Sequence, residues 1–341
     1  MPHPDRARLS AHGAVSTSLA VLSDRELAAL VAGAEPRGAG IGGRSAELEV
    51  AGVRVFVKRV PLTDLECRPE HVRSTANLFG LPTFYQYGVG SAGFGAWREL
   101  AAHVMTSDWV LTGAHAGFPL LHHWRVLPDA APEGFADEFG GIDGAVAHWE
   151  GSAAVRRRLE AVATASRSLV LFMEHLPWTL AAWLSRHRAS EPYPWLEQAL
   201  ARGTSFLSAQ GFVHFDAHFM NLLTDGREIY FADLGLALSK RFTLSGEESL
   251  FLAEHLSYDR HYTTSHLLRH HLPGAGRGPE EHLAFLRDWT AGGARRDRLP
   301  VAVAELIDRH AATALVFGEF FERLVGESKR TPYPRAALDG R

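Results

Sequence analysis

Three things are scarce in this sequence. Cys67 is the only cysteine among 341 residues, which excludes an internal disulfide and fits a reducing cytoplasm as the place of action. A lone thiol of this kind is read as a buried or incidental residue rather than a reactive one. No apolar run reaches the ~18–20 residues that a membrane-spanning helix requires, and the opening MPHPDRARLS has no hydrophobic signal core behind it. The expectation is a cytoplasmic protein with no membrane partner. An excess of basic charge is missing too. Lys and Arg number 35 against 39 Asp and Glu, a formal net charge of −4, so no global field draws the chain to nucleic acid and any phosphate binding must be local.

What is present is enough apolar material for a sizeable core, 46% of residues against 22% charged. A chain of this length exceeds what one core usually fills, so two lobes are expected. Residues 1 to 22 are small and polar with no sustained period and read as a flexible N-terminal arm. Ser23 and Glu26 have the spacing of a capping box ahead of a helix with an apolar stripe at Leu27, Leu30 and Val31. From Gly38 a glycine loop, GAGIGG, leads into two alternating segments, RSAELEV and VRVFVKRV, joined by an Ala51-Gly52 turn, the pattern of a β-hairpin. TDLE at Thr63–Glu66 is a second possible helix start. A helix is expected from Ala96 to about Met105, with Trp97, Leu100, Ala101 and Val104 on one face and Glu99 between them.

Residues 118 to 127 and 168 to 176 read as strands, with an insertion at about 128 to 167 as a candidate lid or substrate element. Beyond Pro177 the pattern is mainly helical, ending in a long periodic segment from Val301 and a basic, Pro-containing tail. The domain expectation is therefore an arm over 1–22, a β-rich lobe over 23–175, a helical lobe over 176–327 and a tail over 328–341.

Chemistry concentrates in GFVHFDAHFMNLLTDGREIYFADLGLAL, residues 211 to 238. Asp216 and Asn221 lie five residues apart on one loop. A tight hairpin turning at Asp225-Gly226 then brings back Asp233. Phosphoryl transfer needs a carboxylate to orient the attacking hydroxyl and oxygen ligands to hold magnesium on the phosphates. Asp216 suits the first role, Asn221 and Asp233 the second. The 19 histidines, His122-His123 and His270-His271 among them, do not form HExxH and lack cysteine partners, so a zinc centre is not expected.

In these residues the chain resembles the protein-kinase-like superfamily, which includes protein kinases and the aminoglycoside and choline phosphotransferases. His214-x-Asp216-x-x-x-x-Asn221 has the spacing of its catalytic loop, and Asp233-Leu234-Gly235 is similar to its DFG-type metal motif. The resemblance implies an α+β fold with a β-rich N-lobe and a helical C-lobe, ATP in the cleft between them, and Mg2+ as cofactor. It implies that Asp216 is the catalytic base, that Asn221 and Asp233 are magnesium ligands, and that His214 is a structural brace. Lys58 becomes the lysine on the α- and β-phosphates, with Glu99 as its ion-pair partner and Glu47 and Glu49 as competitors. Gly38, Gly40, Gly42 and Gly43 become the phosphate-covering loop, and backbone groups near Glu174 to Leu176 the contact to the adenine edge.

Protein kinases carry lysine two residues past the catalytic aspartate, where this chain has His218. H-x-D-x-H-x-x-N is similar to many small-molecule phosphotransferases, and the imidazole can donate to a phosphate oxygen. Only about a dozen residues separate Asp233 from the helical GEESLFLAEH, too few for the usual peptide platform. The expected activity is transfer of the γ-phosphate of ATP to a hydroxyl acceptor, on a protein Ser/Thr or a small molecule. The alternative is a nucleotide-binding pseudokinase acting as a scaffold.

Overall fold

The computed structural model describes residues 6–187, 192–272, 278–293 and 299–340. The fold is α+β, and the chain divides into two compact units, Met1–Leu176 with Asp233–Glu248, and Pro177–Ala232 with Ser249–Arg341. No helix among the described residues is long and apolar enough to cross a membrane.

The first unit is built on an antiparallel sheet of five strands: β1 (Glu35–Gly40), β2 (Gly43–Val50), β3 (Val53–Leu62), β4 (Leu121–Pro128) and β5 (Arg167–Glu174), in the order β1-β2-β3-β5-β4. Ala51 and Gly52 close the β2–β3 hairpin with φ of 53° and 76°, the pair of positive angles a two-residue type I′ turn demands. Strand alternation sends Val55 and Val57 to one face, where they pack with Val15 and Leu19 of α1 (Arg6–Ala20) and Leu27 and Val31 of α2 (Asp24–Ala32). Val60 and Leu62 go to the other face, under Ala96, Trp97 and Leu100 of α3 (Ala96–Leu111).

Three expectations are corrected here. Residues 1–22 are not a loose arm over their described part: α1 buries Val15 and Leu19 completely, and Arg8 grips the Glu174 carboxylate from Nε at 2.7 Å and Nη2 at 2.6 Å. The glycine segment is not a flexible loop but a hairpin, with Gly38 paired to Ser45, Gly40 to Gly43, and only Ile41 and Gly42 between the strands. Thr63 and Glu66 exchange capping-box bonds, yet no α-helix follows before the short 3-10 turn at Pro69–His71. The Glu66 carboxylate is used elsewhere, accepting the Ala96 N–H that opens α3 and pairing with Arg158 at 2.8 Å. The 128–167 insertion, expected as a lid or substrate element, is helical and packed. It holds α4 (Ile142–His148) and α5 (Ala153–Ala163), and it is anchored through Arg158 and the buried Trp149, whose ring meets Tyr85 edge-on at 4.6 Å.

The second unit contains β6 (Trp178–Thr179), α6 (Leu180–His187), α7 (Tyr193–Ala209), β7 (Phe212–Val213), and β8 (Leu222–Thr224) paired with β9 (Ile229–Phe231). After α8 (Gly246–His255), whose first turn belongs to the first unit, come α9 (Tyr258–His270), α10 (Pro279–Thr290), α11 (Val301–Gly326) and α12 (Arg335–Asp339). The basic tail does not hang free of this unit: Lys329 Nζ donates to the Leu324 and Val325 carbonyls at the end of α11, and Leu338 is buried.

Candidate active site

In the first unit, alternation along β3 puts Lys58 on the face that carries Val60 and Leu62, which is the face covered by α3. Glu99, in the first turn of α3, is therefore brought to the lysine. Lys58 Nζ lies 2.8 Å from Glu99 Oε1, an ion-pair contact, and donates a hydrogen bond of 2.8 Å to Asp233 Oδ1. Glu99 is the partner of Lys58; its competitor Glu47 is bound to Arg37 and Arg54 instead. Lys58 and Glu99 are buried, whereas the Asp233 side chain is 45% exposed. Burial alone would lower the Lys58 amine. The Asp233 and Glu99 carboxylates outweigh it and hold the pKa above its ordinary value. Burial pushes Glu99 up, with Lys58 opposing.

Asp233 sits in the left-handed region, φ 57° and ψ 74°, a conformation an Asp tolerates better than most residues. A side chain on Gly235 would press on Glu99 Oε2 at 3.2 Å and Asp233 Oδ1 at 3.4 Å, so the third residue of the Asp-Leu-Gly motif leaves room for the two carboxylates. The tip of the β1–β2 hairpin is also close, since a Cβ on Gly42 would stand 3.9 Å from Lys58 Nζ. Gly43 is fixed by its own φ of 123° and by the Arg59 carbonyl, 2.4 Å from where its Cβ would be. Gly38 and Gly40 lie further down the exposed strand β1.

At the end of β5 the Glu174 N–H and carboxylate are both engaged within the first unit. Its N–H donates to the Leu120 carbonyl at 2.8 Å, just ahead of β4, and its carboxylate takes Arg8 and the Leu120 N–H. That amide is committed to the protein and is not offered to an adenine edge. Leu176, half-buried, ends the segment.

In the second unit, His214, Asp216, His218 and Asn221 share one loop between β7 and β8. His214 Nδ1 accepts the Asp216 N–H at 3.2 Å, which leaves its proton on Nε2, 2.8 Å from the Ala232 carbonyl. The imidazole thus braces the loop against the segment that leads into Asp233, the next residue in the chain. Asn221 Nδ2 donates to the Asp216 carbonyl at 3.1 Å and to Asp216 Oδ2 at 2.9 Å, so the carboxamide oxygen is turned away from that carboxylate. His218 Nε2 is 3.7 Å from Asp216 Oδ1, and its Nδ1 accepts the Met220 N–H.

The residue that sequence reasoning missed is Asp259. Phe215 has φ 64°, costly for a bulky side chain. It is held there because Asp259 accepts the His214 N–H at 2.7 Å and the Phe215 N–H at 3.0 Å. Burial pushes the Asp259 carboxyl up to about 7, against the pull of these two donors. The available signal was an acid on the apolar face of a helix, beside Tyr258 and Tyr262.

In the second unit Asn221 carries an amide oxygen and in the first Asp233 carries a carboxylate oxygen, each of a type that magnesium takes alongside phosphate oxygens and water. Among the described residues no three His, Cys, Asp or Glu side chains are grouped to hold a metal by themselves. No protein-family model matches the chain, and no curated protein matches it. The functional reading rests on the residues.

Proposed function

We propose that the chain is a phosphotransferase of the protein-kinase-like superfamily, its first unit the β-rich N-lobe and its second the helical C-lobe, transferring the γ-phosphate of ATP to an alcohol. The observation that carries this reading is the meeting of Lys58 with both Glu99 and Asp233 at 2.8 Å. Three residues chosen for phosphate and cation chemistry, 41 and 175 positions away along the sequence, share one cluster. A purely structural ion pair needs only two of them. The Asp216–Asn221 bond, the His214 brace and the Asp259 anchor support the same reading from the other half of the chemistry.

In this scheme Lys58, positioned by Glu99, binds the α- and β-phosphates, and the tip of the glycine hairpin covers them. Asn221 and Asp233 would hold Mg2+, which when bound neutralises phosphate charge. Asp216 accepts the proton of the acceptor hydroxyl as its oxygen bonds to phosphorus and the bond to ADP breaks. His218 donates to a phosphoryl oxygen. Retention of the base, both metal-binding oxygens and the lysine favours an active enzyme over a pseudokinase, which needs none of the first three for scaffolding.

The test is ADP release with Mg-ATP by wild type and Asp216→Asn across peptide and small-molecule acceptors. Wild type turns over with at least one acceptor, and the variant loses about 10²–10⁴-fold while still binding ATP. Equal turnover by the two proteins would remove Asp216 from its role. Binding without turnover on every acceptor would favour the pseudokinase.

A further inference from the structure

The second unit carries a cavity of about 330 Å³ beside the Asp216 loop, lined by residues of α9, α10 and α11 together with His218 and Met220. Its size is at the small end of the range for sites that take compact ligands. One part of its wall is aromatic: Tyr262 meets Phe317 edge-on at 6.0 Å and Phe321 at 5.9 Å. Another part is imidazole, with His266 4.7 Å from His270 and 6.4 Å from His218, ring centroid to centroid.

Two buried polar atoms of the lining have no hydrogen-bond partner, His266 Nδ1 and Arg269 Nε. Native proteins leave such atoms unpaired rarely, and where they line a cavity a ligand is the natural partner. Charge narrows the choice. The lining holds one carboxylate, Glu322, and Arg269 pairs with it at 2.7 Å. His266 and His270 are pushed toward the neutral form by burial, His266 down to about 2. The cavity therefore presents no net negative charge to a polycation. Neutral imidazoles each carry one donor and one acceptor, which suits hydroxyl groups, and the aromatic wall suits a ring.

We infer that this cavity is the acceptor site, and that the acceptor is a compact, uncharged, ring-bearing alcohol seated against Tyr262, Phe317 and Phe321 with a hydroxyl toward His218 and Asp216. The inference rests on the phosphotransferase reading and deepens it. His218 connects the two, because it lines the cavity and lies 3.7 Å from Asp216. The step balances as alcohol plus ATP giving phosphate monoester plus ADP: the O–P bond forms, the β,γ-bridging P–O bond breaks, and the hydroxyl proton goes to Asp216.

The experiment compares 4-hydroxyphenethyl alcohol, myo-inositol, kanamycin and a Ser/Thr peptide as acceptors for the full chain, following ADP release and the phosphorylated product by mass. Met220→Trp enlarges an exposed lining side chain and crowds the cavity, and His270→Ala, also exposed, removes a polar partner. The expected result is phosphorylation of at least one of the two uncharged ring alcohols and neither of the others. KM for that alcohol rises about fivefold in His270→Ala, as loss of a contact worth about 1 kcal/mol implies, and rises in Met220→Trp through crowding, in both by a larger factor than kcat changes. Turnover of kanamycin or the peptide instead, or an unmoved KM in both variants, overturns the assignment and leaves the kinase reading standing. Failure of ATP to bind at all overturns that reading, and the acceptor role with it.

Discussion

In the first unit, buried polar side chains are paired by charge: Lys58 with Glu99 and Asp233, Arg98 with Glu248 at 2.6 Å, and Arg158 with Glu66 at 2.8 Å. The second unit uses rings kept neutral and a carboxyl held by backbone. His255 and His266 are pushed down to about 4 and about 2 by burial, and Asp259 accepts two N–H groups. The difference follows from the proposed work. A phosphate site needs a cation whose charge is fixed before the nucleotide arrives, and flanking carboxylates fix it. A site for a hydroxyl needs a loop of set shape without competing charge, and backbone bonds with neutral rings supply it. His122 in the first unit, 3.0 Å from His12 and also pushed to about 4, is an exception to this division.

The strongest way to break the contrast is to remove one member of the charge cluster. Lys58→Met leaves Glu99 buried beside Asp233 without its cation, and is expected to cost about 3–5 kcal/mol in urea unfolding. Adding Glu99→Met recovers most of that loss, because two apolar side chains replace a broken pair. A single variant as stable as wild type would show that the pair is not needed to hold the two elements together.

Acid sharpens the contrast from the other side. His122, His255 and His266 have folded pKa values below the unfolded value near 6.5, so the unfolded chain takes up more protons as pH falls. Their stabilisation is complete above about 6.5 and is lost below it, at about 1.4 kcal/mol per pH unit for each group, down to about 4 for His122 and His255 and lower for His266. The melting temperature should fall steeply between pH 6.5 and 4, and His255→Phe should reduce the slope by about one proton. A flat profile over that window would contradict the neutral assignment.

Asp259 has the opposite sign. Its folded pKa lies above the unfolded value, so its contribution is full below about 4 and is lost as pH rises through about 7. Asp259→Asn keeps one acceptor for two N–H donors and is expected to cost about 1–3 kcal/mol. It should lower turnover by loosening Phe215, and it should remove the fall in stability between pH 4 and 7. Unchanged turnover would show that the loop keeps its shape without the anchor.

The parts of this account that were legible in the sequence are those with local grammar. The Ala51-Gly52 turn, the Ser23–Glu26 box with both reciprocal bonds, the start of α3 with Glu99 in its first turn, and the loop from His214 to Asn221 all lie within a few residues of their own signals, whereas the expected face of α3 holds only in part, with Trp97 and Leu100 buried and Val104 exposed. The role of His214 as a brace was implied by the resemblance alone, and its partner, the Ala232 carbonyl, came from the structure. What escaped depends on partners that share no spacing. Arg8 and Glu174 are 166 positions apart, and nothing near Arg8 marks α1 as a docked helix. Glu66 carried the signature of a helix start, but its carboxylate serves α3 and α5. The glycine segment was read from composition, and pairing in register made it a hairpin. Asp259 lies 43 positions beyond Asp216, and nothing in its local sequence names the Phe215 backbone as its partner.

The most direct test of the central claim is titration of Mg-ATP into wild type and Asp233→Asn, followed by calorimetry. Asp233 is half-exposed, so the substitution removes a charge from the cluster without emptying the core. The account predicts that wild type binds only when Mg2+ is present and that the variant loses at least about tenfold in affinity, the equivalent of one charge-assisted contact. Wild type that binds no ATP, or a variant that binds as tightly as wild type, would contradict it.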